Sequence, residues 1–299
     1  MDSPDQQSEA GEQPAGRKRS KGLYLLPSAF TATNLGSGFY AIISTIHGHQ
    51  LLAGTEAAKV SAAADFNNAA RAIFVAILCD MLDGRVARLT KTNTEFGVQF
   101  DSIADVISFC IAPVLLAYVW GFNVAFGDQS GAHQFAFFVS FMYLICGAFR
   151  LARFNIQSAR THVLLEGIAK LSKNNFVGLP SPAAAAVIAS VVHFAPQPIN
   201  TYGDASPLYG GLLMLLVGAL AALMVSKVRY PSFKSFGKTR FSARLGLLIA
   251  APGIALLWIY SRYLLLALWS IYVLYGLVRA LVSMLKRLLR RSGTPATDA

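Results

Sequence analysis

The chain has little charge. Of its 299 residues only 14% are Asp, Glu, Lys or Arg while 55% are hydrophobic, a balance that excludes an ordinary water-soluble domain and fits a polytopic membrane protein. Acidic residues are the scarcer sign, 15 against 26 Lys and Arg, for a formal net charge of +11. The basic excess sits beside apolar runs, where it marks cytoplasmic loops, and not along a soluble face that would grip nucleic acid, so no nucleic-acid partner is expected. Cysteine is almost missing. Cys79, Cys110 and Cys146 all lie inside apolar runs, which excludes a disulfide framework or thiolate metal spacing and leaves them as small core residues. Neither an internal repeat nor a second soluble domain is visible.

Against that scarcity, four carboxylates crowd between two long apolar runs: Asp80, Asp83, Asp101 and Asp105. At a period of 3.6, Asp80, Asp83, Gly84, Ala87 and Arg88 share one stripe, and Gly97, Asp101 and Asp105, spaced by fours, form another. The polar stretch Thr90 to Glu95 reads as the turn between two antiparallel helices that face their carboxylates across a small gap. A carboxylate at bilayer depth costs roughly 2.5 to 3.5 kcal/mol, so four unpaired ones would cost on the order of 10 kcal/mol. Arg85 and Arg88 offer partial compensation. An all-oxygen cluster also suits hard divalent ions such as Mg²⁺ or Mn²⁺, which keep open positions for phosphate oxygens, and four Asp are enough for two metals. Salt bridging between helices is the plainer alternative.

The pattern Asp80-x2-Asp83-Gly84-x2-Ala87-Arg88-x8-Gly97-x3-Asp101-x3-Asp105 resembles the full signature of the CDP-alcohol phosphatidyltransferase family. The resemblance implies an all-α transmembrane bundle with a six-helix core, two divalent metals held by the Asp residues, displacement of CMP from a CDP-linked lipid, and a homodimer. It further implies that Asp80, Asp83 and Asp101 hold one metal, that Asp105 joins Asp80 and Asp101 at a second, and that Asp105 is the candidate general base. Arg88 is then a phosphate ligand, and Gly84, Ala87 and Gly97 let the nucleotide approach the helix backbones. Three further stretches, Gly147 to Asn155, Phe176 to Ala185 and Ser226 to Lys234, resemble the serine-using branch. CDP-diacylglycerol and L-serine are therefore the expected substrates, giving phosphatidylserine, with inositol or glycerol 3-phosphate as alternative acceptors. An ion or proton transporter is the alternative from another class, but it gains nothing from the glycines and arginine of the motif, and no broken helices repeat in two halves.

Along the chain, residues 1–22 read as a disordered tail with a basic collar, Arg17 to Lys21, which predicts a cytoplasmic N-terminus and no cleavable signal. The core is expected over 23–240, an added hairpin over 241–291 and a tail over 292–299. Spans are expected at 24–47, 68–89, 97–120, 133–154, 178–195, 208–225, 245–260 and 263–285, about eight, with Gly48 to Asn67 a polar excursion on the far side. Both termini and the 90–96 turn then lie in the cytoplasm of a bacterial cell whose inner membrane holds the protein. In the first span Thr31, Thr33, Asn34, Gly36, Ser37 and Gly38 are too polar for a lipid-facing helix, and Asn34 is either a CDP contact or an interhelical hydrogen bond. Arg150 and Arg153, at i and i+3, present a cationic face suited to phosphate or carboxylate. Ser181 lines the acceptor pocket or caps a helix. The last two spans carry no motif residue and are expected at the periphery or a dimer edge.

Overall fold

The computed structural model describes residues 22–90, 95–127, 130–164, 175–226, 228–231 and 260–291. Residues 1–21 and 292–299 of the tails, and all of the expected 245–260 span but Tyr260, lie outside the described residues. Seven helices make up the described fold: α1 (Gly22–Leu51), α2 (Glu56–Thr90), α3 (residues 95–125), α4 (Gly131–Leu164), α5 (Ser181–Phe194), α6 (Ser206–Val225) and α7 (Ser261–Arg291). The architecture is an all-α bundle. Among the described residues, four stretches are long and apolar enough to cross a membrane, 96–125, 131–156, 199–225 and 261–279, while α5 is apolar but shorter. Large side chains such as Phe39, Ile43, Leu78, Phe137, Phe138, Leu215 and Ile271 lie exposed on the outside, the surface that lipid covers in a membrane protein.

α1 and α2 form the longest helix pair and run past the boundaries expected of them. Gly48 to Asn67 is largely helical: α1 continues to Leu51, a four-residue turn follows, and α2 starts at Glu56. The reason is composition and burial together. The Ala-rich stretch has high helix propensity, and Ala62, Ala63 and Phe66 are buried. Ser44 Oγ donates to the Asp65 carbonyl at 2.8 Å, and His47 Nδ1 lies 2.7 Å from Asp65 Oδ2. α4 likewise runs ten residues beyond Phe154.

The inner helix is α5, whose Ala183 to Ala186, Ile188, Ala189 and Val192 are all buried. It packs against α2, α3 and α7, and its run of small residues allows that approach from several sides, where dispersion contacts replace the hydrophobic drive lipid cannot supply. Pro182 sits in the first turn, where its missing N–H removes no helical bond. The loop before α5 is fixed by two short strands, β1 (Asn175–Val177) and β2 (Arg229–Pro231), paired antiparallel with Phe176 opposite Tyr230. Gly178 ends β1 with φ +91°, donates its N–H to the Val228 carbonyl at 2.8 Å, and lies where any Cβ would strike the Met224 carbonyl. Gly178→Ala is expected to destabilise the fold by about 1–3 kcal/mol, seen as a lowered melting temperature of the detergent-solubilised protein; an unchanged melting curve would show that the loop is not held this way.

Candidate active site

The regular turns of α2 and of Glu95–Asp105 carry the acidic stripes to a common point. Asp80, Asp101 and Asp105 each offer a carboxylate oxygen, and the three atoms lie within 4.8 Å of one another. Asp83 is not among the three. It is buried one turn further along α2, and its Oδ2 accepts a hydrogen bond from Thr31 Oγ1 at 3.2 Å. Asn34, one turn from Thr31 on α1, donates Nδ2 to Asp105 Oδ1 at 3.3 Å. The polar stripe of α1 therefore serves carboxylates on both other helices, and of the two readings of Asn34 the structure draws the interhelical hydrogen bond.

Immediately after Asp105, the α-helix opens into a π-helical stretch, Val106–Ile111. The wider turn re-aims the following residues. Ser108 is buried and donates Oγ to the Asn34 carbonyl at 3.0 Å, while Phe109 and Cys110 enter the core. Gly38 lies opposite, and a Cβ there would come within 2.8 Å of Ser108 Cα, so α1 reaches α3 only because this position has no side chain. Neither Ser108 nor the π stretch was legible from the apolar pattern. Thr31 was visible as an odd polar residue in the first span.

Three carboxylates this close repel one another strongly outside bulk water. Arg150 on α4 brings positive charge toward Asp105 and Asp80. Its Nη1 donates to Ser181 Oγ at 2.8 Å. Ser181 thus does not act as the cap of α5, a position held by Pro180. Arg153 lies exposed, so the two arginines expected on one face are divided between interior and surface. Asn155, further along α4, donates Nδ2 to Ser102 Oγ at 2.7 Å, beside Asp101. Gly84 and Gly97 are half-buried, while the side chains of Ala87 and Arg88 lie outside the described residues.

The donor set fits a hard divalent cation. Every candidate ligand is an oxygen, and both Asp101 Oδ1 and Asn34 Oδ1 are buried without a hydrogen-bond partner. A buried acceptor left unsatisfied costs roughly 1–3 kcal/mol, and two beside a carboxylate trio mark a place prepared for positive charge.

The comparisons agree with this geometry. Residues 24–226 match the CDP-alcohol phosphatidyltransferase family. A CDP-diacylglycerol–serine O-phosphatidyltransferase of Helicobacter pylori is 33% identical over 265 residues, covering 88% of this chain and 94% of that protein. A protein of the same name from Methanocaldococcus jannaschii is 32% identical over 207 residues, 69% of this chain and 81% of that one. An archaetidylserine synthase of Methanothermobacter thermautotrophicus is 31% identical over 225 residues, 74% and 75% of the two chains. With its apolar helices the chain is an integral membrane protein, and it belongs to the CDP-alcohol phosphatidyltransferase family.

Proposed function

We propose that the protein transfers the phosphatidyl group of CDP-diacylglycerol to the hydroxyl of L-serine, giving phosphatidylserine and CMP. The observation that carries this is the convergence of Asp80, Asp101 and Asp105 within 4.8 Å, in a chain whose relatives are named for transfer to serine. The relatives' names support the serine acceptor, and the carboxylate cluster supports the chemistry. Placement in a bacterial inner membrane with both termini cytoplasmic, and assembly as a homodimer, complete the reading.

Asp80, Asp101 and Asp105, with Asp83 beside them, are the residues to hold two divalent cations, Mg²⁺ or Mn²⁺. Bound there, the cations would neutralise the pyrophosphate and the charge that develops on departing CMP. The chain's own groups do the rest. The serine oxygen forms a bond to the phosphatidyl phosphorus as the bond from that phosphorus to the CMP oxygen breaks, and CMP keeps the electron pair. The hydroxyl proton passes to Asp105. Asn34 holds Asp105 Oδ1, which orients the second oxygen of that carboxylate toward the acceptor. Gly84, Ala87, Gly97 and Arg88 form the nucleotide and diphosphate side. Arg150, held by Ser181, meets the serine carboxylate, and Arg153 contributes at the surface.

Removal of divalent ions with EDTA is expected to abolish CMP release, and Mn²⁺ or Mg²⁺ to restore it; full turnover in rigorously metal-free protein would end the metal reading. Asp80→Ala and Asp101→Ala should reduce turnover to background while the protein still inserts. Asp105→Asn keeps size but removes basicity, and a loss of about a hundredfold or more in kcat is expected. A variant as active as wild type at neutral pH would remove Asp105 from the proton-transfer role. The acceptor is tested by CMP release from CDP-diacylglycerol with L-serine, inositol and glycerol 3-phosphate. Turnover is expected with serine alone, and Arg150→Ala should raise the serine KM roughly ten- to a hundredfold, whereas Arg153→Ala, at an exposed position, should raise it less. Turnover with another alcohol and none with serine would transfer the assignment to that alcohol within the family.

A further inference from the structure

Besides His133 Nδ1, whose role depends on the tautomer, two buried N–H groups among the described residues have no partner. One is Nε of Arg150 on α4; the other is Nε1 of Trp269 on α7. A buried N–H left unsatisfied is rare and costs roughly 1–3 kcal/mol, so both demand an explanation. Their surroundings link them. The Trp269 ring packs edge-on against Tyr272, with ring centroids 6.2 Å apart. Tyr272 and Arg150 lie close enough for an electrostatic coupling between them.

The register of α7 makes this meeting geometrically natural. α7 packs along α5, and at its beginning Ser261 Oγ lies 3.0 Å from His193 Nε2 while Tyr263 packs edge-on against Phe194. That contact fixes the start of α7 at the end of α5. Running back along α5 from there, eleven residues of α7 at about 1.5 Å each bring Tyr272 to the level of the first turn of α5. Ser181 stands in that turn, carrying the Arg150 guanidinium. Val273 is buried beside Tyr272, so at this level one side of α7 turns toward the bundle. The rest of α7 is mostly exposed among the described residues.

Arg150 and Trp269 supply only donors here, and the Tyr272 hydroxyl can donate as well. A wall of donors around a cation takes an anionic acceptor group, and a carboxylate matches it: two oxygens, each able to accept more than one N–H. We propose that Trp269 and Tyr272 of α7 complete, with Arg150, a subsite for the carboxylate of an amino-acid acceptor. The proposal rests on the serine reading of the previous section and adds the residues that recognise the carboxylate. It also assigns work to a segment beyond residues 24–226, the part that matches the family. The shared chemistry of CMP displacement resides within the matched part, and α7 adds to the acceptor side.

The test uses the full-length purified protein with CDP-diacylglycerol and Mn²⁺, and two variants that keep ring shape while removing one donor each, Trp269→Phe and Tyr272→Phe. Each is expected to raise the serine KM about tenfold while leaving the KM for CDP-diacylglycerol within twofold of wild type. Ethanolamine serves as the control, since it keeps the hydroxyl and ammonium groups and lacks the carboxylate; its inhibition constant against serine should not change in either variant. A serine KM within twofold of wild type in both variants overturns the proposal. An equal rise in the ethanolamine constant also overturns it, because that is the mark of a merely structural role. Tyr272→Phe removes a single oxygen, so it reads out the proposal even where the Trp269 substitution disturbs folding. Wild-type protein that releases CMP with another alcohol and not with serine refutes the acceptor itself, an outcome seen before any variant is compared.

Discussion

Everything around the site is arranged by the mutual repulsion of carboxylates held out of bulk water. Asp80, Asp101 and Asp105 converge within 4.8 Å, and Asp83 is buried one turn away. Such a group is stable only if its lone pairs are claimed and its charge is answered. The protein claims part of them with neutral donors from α1, Thr31 for Asp83 and Asn34 for Asp105. It leaves at least one, Asp101 Oδ1, buried and unclaimed. Full satisfaction by protein donors would fill the site. Partial satisfaction keeps it open to a cation.

This constraint explains features of the bundle that packing alone would not. α1 must bring polar side chains to the acids, so its polar stripe cannot face lipid, and it must come close, so Gly38 stands against Ser108 where a methyl group would collide with backbone. α3 must present Asp101 and Asp105 from regular α turns and then pack an apolar surface into the core. The π stretch at Val106–Ile111 makes that transition within one turn. The inner position of α5 follows as well. Its small buried side chains allow α2, α3 and α7 to close around it, so that Ser181 at its beginning can hold Arg150.

The acidic stripes were readable in the sequence because charge is rare in this chain and the spacing of three and four residues has a helical meaning. Asn34 and Thr31 were readable as polar residues in an apolar span, although not their partners. Other features left no trace. A π stretch changes no residue type, so nothing in Val106 to Ile111 announces it. Arg150 and Arg153 differ by about 60° around a helix; the pattern placed them together, and only the packing of α5 decides that one is inside and the other exposed. Gly48 to Asn67 reads as polar from its side chains, whereas in the fold its alanines extend α2 against α1. Trp269 and Tyr272 were hidden for the opposite reason, lying in a run whose apolar character suggested nothing beyond a span.

The two halves of the site are therefore built on different principles. The carboxylate half depends on two helices whose residues are fixed by regular spacing, since a metal ion demands oxygens at defined separations and tolerates little drift. The Arg150 half draws on α4 and α5, to which the proposed subsite adds α7, elements that meet only in the folded bundle. It offers donors in place of acceptors. A ligand bridging the two, as proposed, carries an anionic group at the Arg150 end and a hydroxyl at the carboxylate end, because an anion turned the other way would face the carboxylates. The arrangement thus imposes direction on the ligand as well as charge. Direction is what brings the hydroxyl beside Asp105, whose carboxylate Asn34 already orients.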